Sequence, residues 1–240
     1  MSERLNRAEA IEQLVIANRI LAHEGVIDVF GHVSLRHPED PERFLLSCGR
    51  SPSLVTRDDI MEFDLDGRET SDSGLRPYAE RFIHAAVYKT RPDVGGVSHH
   101  HAKAILPFTA SEMPLRPVNH TGAVIGAEVP RWDSQEAFGD TNMLVASPPM
   151  GAAVAEALGE GRCLLLRGHG AVCAAESVMA VVFVSVYMKE NAEVQLATHA
   201  LGEIAYLRPG EIELADKLQM SPMPMRRAWE YWKARAGYPG

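Results

Sequence analysis

No stretch of this sequence is apolar for long enough to cross a bilayer, no repeat or low-complexity tract stands out, and cysteine is scarce. The longest apolar run, SVMAVVFVSVYM, is too short to span and leads straight into KENAEVQ. The N-terminal MSERLNRAEAIEQL is charged and amphipathic and lacks the apolar core of a signal peptide. The three cysteines, Cys48, Cys163 and Cys173, are an odd number in no metal-ligand spacing. Cys163 sits in an apolar run and reads as a buried thiol, so a reducing cytoplasm is expected. Basic residues are outnumbered, 24 against 32 acidic, and the net charge of −8 argues against nucleic acid or an anionic membrane as partner.

What is present suits one good-sized domain over residues 1–240: 46% of the residues are hydrophobic, enough for a large core. A first helix is expected over 7–24, with Ile11, Leu14, Val15 and Leu21 on one face and Gly25 as its stop. VIDVFGHVSLRH and RFLLSCG read as two strands of a hairpin. Thr56 and Asp59 resemble a capping box, and FDLDGRET a strand with a D-G turn. An amphipathic helix over 78–90 stops before Pro92 and places Glu80 in its first turn. Further helices are expected over 103–111, 149–158 and 177–201, and GEIELADKL and RRAWEYWKARAG close the chain as two more. Strands follow one another without intervening helices, so the fold is expected to be α/β around a mixed, largely antiparallel sheet.

The chemistry concentrates in two apolar runs, VGGVSHHHAKAIL and CLLLRGHGAV. On a strand, residues two apart share a face, so His99 and His101 can aim at one point, and His100 faces the other way. His169, between Gly168 and Gly170 at the end of another strand, completes a facial set of three imidazoles that leaves coordination positions open. Glycine on both sides allows a sharp turn or a close approach there. His23, His37, His84 and His199 fall on helices or loops and read as structural or surface residues.

The order of these features resembles the class II aldolase/adducin family: a Glu at a helix start in RPYAERFIHAAVY, the H-x-H strand in SHHH, and a glycine-flanked His in LLLRGHG. The likeness runs from the first helix through GHVSLR to KENAEVQLATHALG. It implies a three-layer αβα domain, one divalent metal per subunit on His99, His101 and His169, and Glu80 as acid/base and additional ligand. It further implies a homotetramer with interfacial active sites, near which the C-terminal helices over 211–240 would pack. Adducin-like members lack the metal set; this chain keeps it.

The departures narrow the expectation. Family members acting on sugar phosphates use a G-N-x-S turn and a Ser-Ser pair before the Glu. Here the turn is Gly31-His32-Val33-Ser34, followed later by Ser47-Cys48-Gly49-Arg50, and the pair is Tyr78-Ala79. A phenol in place of small hydroxyls argues against a phosphosugar, while Arg50 and Arg76 offer forks suited to a carboxylate. The pattern resembles the decarboxylase branch, with SCGRSPSLVTRDDIMEFDLDG, PLRPVNHTGAVIG and DTNMLV agreeing. That implies decarboxylation of a hydroxylated aromatic dicarboxylate, of dihydroxyphthalate or hydroxypyridine-dicarboxylate type, in aromatic catabolism, with Mn²⁺ favoured over Zn²⁺, Co²⁺ or Fe²⁺. The alternative is a metal-dependent aldolase of a non-phosphorylated hydroxy-keto substrate. On this reading Glu80 protonates the ring carbon, His32 and Ser34 meet the substrate, and Arg50 or Arg76 holds the retained carboxylate. His120 lies on a segment expected near the site, and Tyr231 on a helix expected to close over it.

Overall fold

A computed structural model describes residues 5–238; the first four residues of the charged N-terminal segment and the last two of the C-terminal 211–240 stretch lie outside the described residues. The chain runs α1 (Arg7–His23), β1 (His32–Arg36), β2 (Arg43–Ser47), β3 (Ile60–Asp64), α2 (Arg81–Thr90), β4 (Gly96–His100), α3 (Leu106–Thr109), β5 (Arg131–Trp132), α4 (Ser134–Phe138), α5 (Pro148–Leu158), β6 (Cys163–Leu166), β7 (Gly170–Ala175), α6 (Val178–Leu201), α7 (Pro209–Gln219) and α8 (Pro222–Arg235). The strands form one sheet in the order β3-β2-β1-β4-β7-β6-β5. Every pairing is antiparallel except that of β5 with β6. The expected mixed, largely antiparallel sheet is therefore what the chain builds.

Alternation along the strands sorts the side chains into two apolar layers. Val33, Leu35, Cys163, Leu165 and Cys173 pack with α1 and α6 on one face. Phe44, Leu46, Val97, Leu164, Leu166 and Val172 pack with α2 and α5 on the other. The middle of β1 and all of β4 are buried between the two, and β4 lies at the centre of the sheet.

Three expectations shift. Residues 26–31 are not strand: Asp28 turns the chain by accepting from the Phe30 N–H at 3.0 Å, and Val29 and Phe30 face outward. The helix expected over 103–111 is cut to 106–109, with Pro107 in its first turn. The helix expected from residue 78 begins at Arg81, so Glu80 is its N-cap and not a first-turn residue. Pro77 holds the preceding segment extended, bridged to Cys48. The Thr56–Asp59 capping box and the long helix behind its Ser177 cap form as expected.

The helix that carries Glu80 is seated by a glycine. A Cβ on Gly151 of α5 would run into the backbone carbonyl of Phe82 in the first turn of α2. Gly151→Ala therefore overpacks the α2–α5 contact and is expected to destabilise the fold by about 1–3 kcal/mol. A urea melt against the parent protein measures this.

Candidate metal centre

Because β4 runs antiparallel to both neighbours, His99 stands opposite His32 on β1 and Val172 on β7. His99 and His101 come to the α2–α5 face together, with Nε2 atoms 3.0 Å apart. The turn from β6 into β7 brings His169 alongside, its ring centroid 4.8 Å from that of His99 and 5.1 Å from that of His101. Gly168 adopts φ +65° in that turn, and a Cβ on Gly170 would lie 2.7 Å from His101 Cδ2. The glycines thus serve the turn and the close approach that their flanking of His169 suggests. His100 points to the opposite layer, where its Nε2 meets Cys173 Sγ at 3.7 Å.

The donor set fits a divalent cation. One ligand atom from each of His99, His101 and His169 lies within 4.8 Å of the other two. The Ala171 carbonyl accepts from His99 Nδ1–H at 3.0 Å, which fixes the tautomer and leaves Nε2 with a lone pair. Burial and the neighbouring imidazoles push His101 down to about 3 and His169 to about 4, so both are neutral ligands at physiological pH. Three imidazoles facing one point are the soft-to-borderline set that Zn²⁺, Mn²⁺, Fe²⁺ and Co²⁺ share.

Glu80 closes the cluster. Its Oε1 accepts from the Val145 N–H at 3.0 Å, and its carboxylate lies 3.5 Å from His99 Nε2 and 3.7 Å from His169 Nε2. Although burial pushes this carboxyl up, the histidines around it, His99 first among them, outweigh it and hold the group well below the usual carboxylate range. Its side chain makes no capping bond to α2; it is turned into the site.

His32 also reaches this place. Its ring lies 5.2 Å from that of His99 and 4.6 Å from that of Tyr78, whose hydroxyl donates to the Arg50 carbonyl. Burial raises the Tyr78 phenol to about 12, so it stays neutral. The remaining residues fall further from the cluster. Ser34 is fully buried behind His32 and bonded to His84 and Tyr88. Arg50 is paired with Asp59 at 3.1 Å, and Arg76 is exposed without an ion pair among the described residues. His120 is exposed and bonded to Gln219 of α7. Tyr231 is exposed on α8, with Arg235 over its ring, beside a cavity of about 470 Å³ that Phe183, Tyr187 and Met223 also line. His84, read from sequence as structural or surface, is buried one helical turn beneath Glu80 and bonded to His32, a place beside the site that the sequence reading did not assign.

Among curated proteins the chain resembles the decarboxylase tropJ of Talaromyces stipitatus, 29% identical over 236 residues that cover 89% of this chain and 88% of that protein. It also resembles a 3,4-dihydroxyphthalate decarboxylase of Arthrobacter keyseri, 29% identical over 213 residues and 82% of each chain. Among solved structures, an L-fuculose 1-phosphate aldolase from Glaciozyma antarctica superposes with a TM-score of 0.79 at 23% identity, covering 97% of this chain and 90% of that one. An aldolase II superfamily protein from Pseudomonas syringae gives 0.80 at 21%, over 98% and 94%. The solved structures establish the fold, and the curated relatives support a lyase. The family model for the class II aldolase and adducin N-terminal domain matches residues 12–196, a segment that contains Glu80 and every member of the histidine cluster. The chain belongs to the class II aldolase and adducin family.

Proposed function

We propose that the protein is a divalent-metal-dependent decarboxylase of a hydroxylated aromatic dicarboxylate, of dihydroxyphthalate or hydroxypyridine-dicarboxylate type, acting in aromatic catabolism. The observation that carries this reading is the composition of the wall beside the three imidazoles. Where phosphosugar enzymes of the family would need small hydroxyls, the rings of Tyr78 and His32 pack against one another. Planar rings suit an aromatic substrate, and the decarboxylase relatives point the same way.

In this reading His99, His101 and His169 hold the ion, Mn²⁺ by preference. When bound, that ion supplies Lewis-acid stabilisation of the charge left as CO2 departs. Glu80 delivers a proton to the ring carbon. Because it rests as a carboxylate, it must gain that proton as substrate binds, from the substrate's own hydroxyl. His32 meets a substrate carboxylate. Arg76, without an ion pair among the described residues where Arg50 is held by Asp59, is the freer of the two to hold the carboxylate that remains. The assembly is a cytoplasmic homotetramer: three buried free thiols fit a reducing compartment, and exposed Leu214, Leu218, Met223 and Tyr231 on α7 and α8 fit a subunit contact.

Mn²⁺-loaded protein incubated with 3,4-dihydroxyphthalate is expected to release CO2, and a chelator to abolish it. Glu80→Gln should lower kcat at least about 100-fold while metal stays bound. Metal-replete protein that decarboxylates no hydroxylated phthalate or pyridine dicarboxylate, yet exchanges an α-proton of a hydroxy-ketone with solvent, would make it an aldolase. His101→Ala should reduce bound metal well below one ion per subunit, as elemental analysis after dialysis reads.

The acid side of the stability profile follows from the same groups. In the unfolded chain His101 and His169 take up protons below about 6.5, whereas in the folded chain they wait until about 3 and 4. The unfolded state thus binds more protons, and the metal-free protein loses stability as pH falls from 6.5 towards 4. Glu80, held below its ordinary value, adds to the loss below about pH 4.5. Urea midpoints at pH 7 and pH 5 should differ accordingly, and by less in His101→Asn.

A further inference from the structure

The stripe of α2 that begins with Glu80 continues at four-residue spacing as His84 and Tyr88. On β1 the residues facing it are His32 and Ser34, two apart on one face. Their polar atoms interlock. His32 Nδ1 lies 2.6 Å from His84 Nε2, His84 Nδ1 lies 2.6 Å from Ser34 Oγ, and Ser34 Oγ lies 2.8 Å from Tyr88 OH. All four side chains are buried. The other neighbour of Ser34 Oγ is the Val97 carbonyl at 3.4 Å, beyond the normal O–H···O range.

Three short contacts need three protons, and their direction can be counted. Tyr88 OH has one proton and, among the described residues, Ser34 Oγ as its acceptor. The Ser34 hydroxyl is then free to donate to His84 Nδ1. His84 therefore carries its proton on Nε2 and donates to His32 Nδ1, which puts the His32 proton on Nε2. That nitrogen has no partner among the described residues, on a ring packed against those of His99 and Tyr78. The reverse direction would leave either the Ser34 proton to the carbonyl 3.4 Å away or, with Ser34 donating to Tyr88, the phenol proton without an acceptor among the described residues.

We infer that His84 is a positioning residue: backed by Ser34 and Tyr88, it locks His32 in the Nε2–H tautomer. The site then presents a fixed N–H donor, and the substrate group seated there is an acceptor oxygen, a carboxylate and not a hydroxyl that must donate. The identity of that oxygen rests on the decarboxylase reading; the tautomer does not.

Nitrogen-15 NMR of protein labelled only at histidine, metal-free and zinc-loaded, reads the tautomers with no substrate present. His32 and His84 are both expected as Nε2–H. Ser34→Ala removes the proton that makes His84 Nδ1 an acceptor, and the His32 signal should move toward the Nδ1–H form. His84→Gln can accept from Ser34 and donate to His32 and should preserve Nε2–H, whereas His84→Leu should lose it. With 3,4-dihydroxyphthalate, Ser34→Ala and His84→Leu should raise KM about 10- to 100-fold with a smaller change in kcat, and His84→Gln should restore it within a few-fold. A parent protein showing His32 as Nδ1–H, or a tautomer unmoved by Ser34→Ala, overturns the inference. The expected tautomers in a protein that decarboxylates none of these acids uphold the lock and refute the proposed activity instead.

Discussion

Everything at the site depends on the antiparallel seating of β4 between β1 and β7. That pairing sets His32, His99 and the strand leading from His169 side by side, and the Ala171 carbonyl on β7 fixes the tautomer of His99. A parallel neighbour would send the chain away from the cluster at the end where His169 enters. The ligand geometry is thus set by the sheet, made rigid by a core on both faces, while His101 just past the end of β4, the turn at 167–169 and the N-cap of α2 are irregular backbone. Precision of this kind is what a metal site needs, since ligands on or directly beside packed strands lose little further freedom when the ion binds.

Glu80 illustrates how a local rule yields to a site. A carboxylate at an N-cap ordinarily bonds the amides of the following turn. Here the side chain bends the other way and accepts from Val145, leaving the helix end without a side-chain cap. The loss is small, on the order of 1 kcal/mol, and is offset by a carboxylate held among three imidazoles. Glu80 is held as a carboxylate among the histidines, while burial lowers the basicity of His101 and His169.

The metal set was legible because it follows two simple periodicities: alternation on a strand, and a glycine-flanked turn. The sheet type was legible from strands that succeed one another without helices. The misplaced boundaries have local causes. The Val26–Phe30 run turns, burying Val26 and Ile27 while Val29 and Phe30 face outward, and apolarity alone does not distinguish a strand from such a loop. The start of α2 slipped by three residues because Tyr78 and Ala79 are tolerable helix formers, but the bridge from Pro77 to Cys48 fixes the chain just ahead of them and the helix begins only after a turn at Ala79 and Glu80. His84 escaped because a histidine on an amphipathic helix usually faces water. The signal that would have found it is the spacing Glu80–His84–Tyr88 opposite His32–Ser34, visible only once α2 and β1 are known to pack together.

The polar layer between β1 and α2 also governs how the sheet aligns. Along β1 the residues alternate between His32 and Ser34 on one side and Val33 and Leu35 on the other. Sliding β1 by a single position against β4 would drive an imidazole and a hydroxyl into the layer formed by α1 and α6. The valine and leucine would in turn face the polar atoms of His84 and Tyr88. Each stranded group would cost about 1–3 kcal/mol. The residues gathered for chemistry therefore act as a key for the fold, rejecting mispaired strands during assembly before any substrate is met.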